Sequence, residues 1–464
     1  MEWHPTWEDP FTTYLHPFAG LLGDARTRTT FTATVKGIIG AGSLVCQRIA
    51  TESPVLAAVQ NGAQRVIRMV MGASTKRSPD LDATHLTAKL RTQAVAHLGS
   101  GSADEVWLIA DGSELRKPYA QAMPHLMRVK ALDGGLVNGY RTLNVIGLTP
   151  NRRGVLYHHL FSSQAPGFLS ESHEIQQALT TVSGALTPLK ERMTVSWIVD
   201  SQFDDVAVWR TIWEQDEHVV VRVKHPERLI AFQDRRGHWH DGNIAGARKH
   251  LRRMGKAETM LVVQRGRQKR PKEQRVAVEL RACPLRLRYA TNVRRAEAGM
   301  TVDKALWLVE VRIPDTSMEP WLLLTDWPVL DETSAVRIFR MYRQRWAAED
   351  SFKFTKDCLG WEEVQVMHLE AVRTLVALAW VAAGFLYELG VTLEWAEVYL
   401  LARLGGWVPH KDRTPGKITL TRGLRRLVEM LTTEAILTTY LQEYGALPGK
   451  IAALLGAWQP SHEL

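Results

Sequence analysis

The chain has 464 residues, 45% hydrophobic and 23% charged, with 58 lysines and arginines against 49 acids, a net charge of +9. That is length for three or four domains with several cores, and the basic balance favours a nucleic-acid partner. Three cysteines, Cys46, Cys283 and Cys358, lack disulfide or metal-ligand spacing, and residues 1–10 lack the apolar core of a signal peptide, which excludes a disulfide scaffold and predicts an intracellular protein.

Residues 1–95 are basic and read as helices over 32–40, 42–51 and 54–71, broken by glycine or proline. A helix-turn-helix and a plain helical bundle both fit. Gly37, Gly40 and Gly42 are in the wrong order for a dinucleotide fingerprint, so no small-molecule cofactor is expected. An apolar strand, 105–110, then runs into Asp111. Strands over 140–148 and 154–161 follow as a meander, then a helical stretch over 170–192. A further apolar strand, 194–199, runs into Asp200, followed by a helix over 203–214 and a strand over 218–223 with Arg222 and Lys224 at its end. Three strands, a helix, a strand, a helix and a strand make the order of an RNase H-like core: α/β, a mixed five-stranded sheet with helices.

Between Arg248 and Arg295 there are 16 lysines and arginines against three acids, Glu258, Glu273 and Glu279, a local charge of +13. Strands are expected over 259–263, 274–280, 284–290 and 305–311, with a basic hairpin tip at 266–272. This predicts a basic β-rich insertion laid along a DNA backbone. His238 and His240 beside Asp241 leave a zinc site open, though without further clustered ligands.

Beyond the insertion, Tyr342, Arg345, Glu349 and Lys356 fall at offsets that stack them along one helix face. A carboxylate among two cations and a phenol suits a phosphodiester activated by a metal ion. Asp111, Asp200 and Glu349 together would supply hard oxygen ligands for two magnesium ions. Taken singly, each aspartate reads as a turn or cap residue, and Arg345 can simply pair with Glu349 at i,i+4. Helices are expected again over 375–389, 393–404 and 420–444, and the apolar run 375–387 is too short to cross a bilayer, so no membrane partner is expected.

The strand-end acids with the Tyr342, Arg345, Glu349, Lys356 series resemble the signature of DDE insertion-sequence transposases of the YREK branch, the IS-four family. Residues 321–325 and 342–346 resemble runs of that family as well, and the likeness spans about 100–390. It implies cut-and-paste transposition: double-stranded DNA bound at the terminal inverted repeats, cleavage through a hairpin, and joining of the 3′ ends to target DNA. It further implies two Mg2+ ions on Asp111, Asp200 and Glu349, with Mn2+ able to substitute, and a homodimer in a synaptic complex in the bacterial cytoplasm, at the nucleoid. Tyr342, Arg345 and Lys356 would contact DNA phosphates, with Arg222 and Lys224 as further DNA contacts. Trp321 would stack on a base drawn out of the duplex, although core packing explains it equally well. Two other functions fit parts of the pattern: an RNase H-like nuclease that cuts without joining, and a non-catalytic DNA-binding repressor. The expected layout is a helical DNA-binding domain (1–95), the core in two parts (96–225 and 320–385) around the insertion (226–319), and a helical C-terminal domain (386–464) suited to dimerisation.

Overall fold

A computed structural model describes residues 8–72, 78, 80–263, 272–288, 304–314, 316–409, 414–448 and 451. The chain opens with helices α1 (Glu8–Leu15), α2 (Ala25–Ala41), α3 (Cys46–Thr51), α4 (Pro54–Ala57), α5 (Gly62–Val70) and α6 (Ala83–Gly99). Side-chain caps start the longer ones: Asp24 accepts from Thr27 N at 2.7 Å and Asp82 from His85 N at 2.8 Å. The glycines have packing roles. A Cβ on Gly37 would lie 2.3 Å from the Ile49 carbonyl oxygen, and Gly42 ends α2 in the left-handed region at φ 57°.

The central region comprises β1 (Glu105–Arg116), β2 (Met127–Lys130), β3 (Leu136–Leu148), β4 (Arg153–Phe161), α7 (Glu171–Ala185), α8 (Thr187–Lys190), β5 (Thr194–Val199), α9 (Val206–Trp213) and β6 (His218–Arg222). β3 runs antiparallel to β1 and β4, whereas β1, β5 and β6 are mutually parallel, giving the order β4–β3–β1–β5–β6. The strand ladder thus follows the expected sequence of elements, with the β2 hairpin added at the start of β3.

The expected insertion holds β7 (Leu229–Gln233), β8 (Trp239–Asn243), α10 (Ile244–Ala247), β9 (Arg252–Val263), β10 (Lys272–Leu287) and β11 (Leu306–Arg312). It is no separate layer. β12 (Trp321–Thr325) pairs with β6 on one side and β11 on the other, so the sheet continues through β11, β10 and β7 to β8. The two strands expected over 274–280 and 284–290 are the single strand β10. Pro284 fits inside it because its position falls between Ala282, where pairing with β9 ends, and Leu285, where pairing with β7 begins. The tip expected at 266–272 lies outside the described residues except for Lys272, as do Tyr289 and Ala290.

The remaining helices are α11 (Glu332–Arg343), α12 (Trp346–Leu359), α13 (Leu369–Thr392), α14 (Trp395–Leu404) and α15 (Lys417–Tyr444). The boundary expected at 385/386 falls inside α13, because burial of its apolar residues continues from Leu369 to Leu389. At 24 residues α13 is long and apolar enough to cross a membrane, yet 78% of its apolar window is buried within the fold. It packs on α6, α2 and β4 while α15 packs on α2 and α4, so the N- and C-terminal helices form one layer instead of two flanking domains.

That layer covers one face of the sheet. Ile109, Ile146 and Ile198 point into it together with α11, α12 and α13, while Val106, Leu108, Ala110, Trp197 and Val199 point the opposite way into the core beneath α7 and α9. Side chains alternate along each strand, so the face of Ile109 is also that of Asp111, and the face of Ile198 that of Asp200.

Two buried histidines predict acid lability. Burial pushes His158 down to about 3 and His97 down to about 4, from an ordinary value of 6.5. Both rings are neutral in the folded chain and gain a proton when it unfolds below about 6.5, so stability is complete above that pH and is lost as pH falls. Urea titrations should show unfolding free energy dropping toward pH 4 by up to about 1.4 kcal/mol per pH unit for each histidine, with His158→Gln removing one share.

Candidate active site

Parallel pairing of β1 with β5 ends at Ala110 opposite Val199, and the next residues are Asp111 and Asp200. The register sets the two acids side by side on the face covered by α12. β1 does not stop at Asp111, as its apolar run suggested, but continues to Arg116 because pairing with β3 carries it on. Asp200 also caps the short 3-10 turn Ser201–Phe203, accepting from Gln202 N at 2.8 Å through Oδ1. The cap reading of this residue is therefore true and leaves Oδ2 uncommitted to it.

α12 lies across β1 and brings Glu349 in its first turn to the same place. Asp111, Asp200 and Glu349 line one open cleft with Gly112, Ser113, Arg345, Lys353 and Lys356. Asp111 is only 8% exposed, and burial first, then the charges of Asp200 and Glu349, push its carboxyl up to about 7 against the pull of Arg345 and of the Gly112 N–H. Arg345 answers that crowding. Its guanidinium lies 3.7 Å from Asp111 Oδ2 and donates to Glu349 Oε1 at 2.5 Å, which is the i,i+4 pairing left open by the sequence.

The helix expected to carry all four signature residues is broken. α11 ends at Arg343, α12 starts at Trp346, and the intervening turn is tightened by Ala347 N to Gln344 O at 2.8 Å and Ala348 N to Arg345 O at 3.1 Å. Tyr342 therefore sits at the end of α11, 3% exposed, edge-on to Trp321 at 5.3 Å, its phenol pushed up to about 12 by burial. In this position it backs Arg345 and is not itself open to DNA. Trp321 is half-buried on Tyr342 and Phe339, so packing accounts for much of its ring.

Lys356 reaches the cleft from the last turn of α12, held by Glu114 O at 3.3 Å and Glu362 Oε1 at 3.2 Å. Arg222 is half-buried near Tyr342. Lys224 is not brought to the acids. It lines a neighbouring cleft with Gln202 and Arg228, where its N–H donates to Asp204 Oδ2 at 2.6 Å.

Among the described residues no three His, Cys, Asp or Glu side chains stand close enough to hold a metal ion as they are. The donor chemistry nonetheless fits magnesium: three hard carboxylates share a cleft, and one is pushed up in part by the other two. His238 and His240 both lean on Asp234, at 3.6 and 2.9 Å.

Trp346, which the sequence reading passed over, is 58% exposed at the start of α12, 5.8 Å from the Arg345 guanidinium. Its signal was available: it precedes Ala347 and Ala348, which occupy the buried side of the helix. Lys353, exposed and on the cleft, was passed over too.

No protein-family model matches the chain, and no curated protein matches it. Among solved structures, a piggyBac transposase synaptic complex with hairpin DNA aligns with a TM-score of 0.44 and 9% sequence identity, over 94% of this chain and 76% of that one. A likeness this loose carries no weight for function.

The raised Asp111 carboxyl gives a signed prediction. Between about 3.8 and about 7 the folded chain holds a proton that the unfolded chain has released, so stability falls as pH rises through this window and the full cost is present above it. Metal-free Asp111→Asn should melt higher than wild type above pH 7 and match it near about pH 4. A lower melting point for the variant at both pH values would mean that Asp111 is a structural acid.

Proposed function

We propose that the chain is a DNA transposase of the DDE class with the YREK signature, similar to the IS-four family. On this reading it binds terminal inverted repeats as a homodimer, cuts them through a hairpin and joins the 3′ ends to target DNA. The observation that carries the reading is the convergence of Asp111, Asp200 and Glu349 in one open cleft with Arg345, Lys353 and Lys356. The order β4–β3–β1–β5–β6, with only β3 reversed, is that expected of an RNase H-like core and supports it. So do the exposed cations Lys249, Arg252, Arg253 and Lys256 around the start of β9, which suit a phosphate backbone.

Asp111, Asp200 and Glu349 would hold two magnesium ions, with manganese able to substitute. Bound there, the ions would activate the attacking oxygen and stabilise the leaving one. Arg345, which pairs with Glu349 and Asp111 in the metal-free chain, would be free to turn its planar fork to a phosphate with the carboxylates so occupied, where two parallel hydrogen bonds are available. Tyr342, itself packed on Trp321, backs Arg345, while Lys353 and Lys356 would add charge along the strand. A hairpin requires a base to leave the stack. The exposed indole of Trp346, beside Arg345, is the better-placed ring to receive it, with Trp321 behind, and such stacking contributes roughly 1–3 kcal/mol.

The test is a labelled duplex carrying the ends of the DNA that encodes this chain, incubated with magnesium and resolved for nick, hairpin and joined product. Wild type should give a hairpin and then a joined product, while Asp200→Asn and Glu349→Gln bind the duplex and cut nothing. Nicking without joining would replace the reading with a nuclease, and binding without cleavage by wild type with a DNA-binding relic.

A further inference from the structure

About 100° around α12 from Glu349, its neighbour Asp350 gathers two cations from distant parts of the chain. Arg153, the first residue of β4, donates to Asp350 Oδ2 at 2.8 Å and to Ser351 Oγ at 3.2 Å. Lys417, the first residue of α15, donates to the same Oδ2 and lies 3.4 Å from the Asp350 carbonyl oxygen. Both cations also stand over the ring of Tyr387 in α13, at 5.4 Å for Arg153 and 5.9 Å for Lys417, and Lys417 stands 5.1 Å over Phe354 of α12.

One such pair at a surface contributes little to stability. Here, however, the side chains of Arg153, Lys417 and Asp350 are 24%, 30% and 50% exposed, and the cations come from the sheet and from the C-terminal helix. Arms from two directions meeting on one carboxylate resist rotation of the helix that bears it. Glu349 shares that turn and, among the described residues, has its ion pair with Arg345.

The geometry points to Asp350, Arg153 and Lys417 as a clamp that sets the rotation of α12, with Lys417 the positioning residue that ties Glu349 to the C-terminal helices. Its consequence for cleavage rests on the transposase reading, whereas the clamp itself does not. Through Lys417, a displacement of α15 would reach the acid cleft without any C-terminal residue entering it.

Amide hydrogen exchange of the full, metal-free chain reads the clamp directly. In Lys417→Met, peptides covering 346–352 should exchange about two- to fivefold faster than in wild type, the range that a partly exposed ion pair supports. Peptides of α9, in the core on the opposite face of the sheet, serve as the control for general loosening and should not change, and Lys417→Arg should keep the wild-type pattern. Equal exchange at 346–352, or an equal rise in α9, overturns the clamp. In the cleavage assay, the magnesium concentration for half-maximal rate should rise by a similar factor in Lys417→Met, with duplex affinity unchanged and Lys417→Arg restoring it. An unmoved magnesium requirement beside faster exchange overturns the positioning role. If wild type cuts no DNA while exchange changes as expected, the clamp stands and the transposase reading falls.

Discussion

The candidate site depends on strand register. Two parallel strands whose last paired residues are Ala110 and Val199 set the following residues, Asp111 and Asp200, level with each other. The twofold alternation of a strand turns both toward the helical layer and away from the core under α7 and α9. A slip of one residue in either strand would send its acid to the opposite face, so the long apolar runs before each acid also fix where the acid ends up. α12 then needs only to lie over this corner for Glu349 to join them.

Gathering three carboxylates beside a buried strand costs free energy, and the fold meets that cost with an internal counterion. Arg345 neutralises part of the charge through its pairs with Asp111 and Glu349. It sits at the break between α11 and α12, where a turn holds its backbone while its side chain reaches Glu349 one turn on. Continuation of the sheet beyond β6 joins the basic strands to the acid corner, so that the charge around β9 and the acids on β1 and just after β5 belong to one continuous sheet.

Much of this was legible in the sequence. The apolar strands and their acids, the meander, the intervening helices and the extra β-structure all carry local signals, period two or near-helical spacing, that survive in the fold. What was not legible depends on partners distant in the chain. β1 outruns its apolar segment because β3 is there to pair with Ser113 to Arg116. Pro284 stays inside β10 because two different neighbours hand over at that point. The terminal helices merge because α15 finds α2, and the continuous-helix reading of 342–356 failed because near-helical dihedrals at Gln344 and Arg345 still permit a tight turn. Tyr342 matched a phosphate-binding pattern by spacing alone, and its burial could not be read without knowing that Trp321 packs on it.

Asp111, Asp200 and Glu349 should act as one site for divalent cations, with Arg345 standing in when none is bound. Binding of Mn2+ to the full chain, followed by the loss of free-ion paramagnetic signal and compared between wild type and Asp200→Asn, tests it most directly. Wild type should bind saturably, and Asp200→Asn should bind far more weakly while keeping its fold. Absence of saturable binding, or binding that the substitution leaves unchanged, would contradict one shared site.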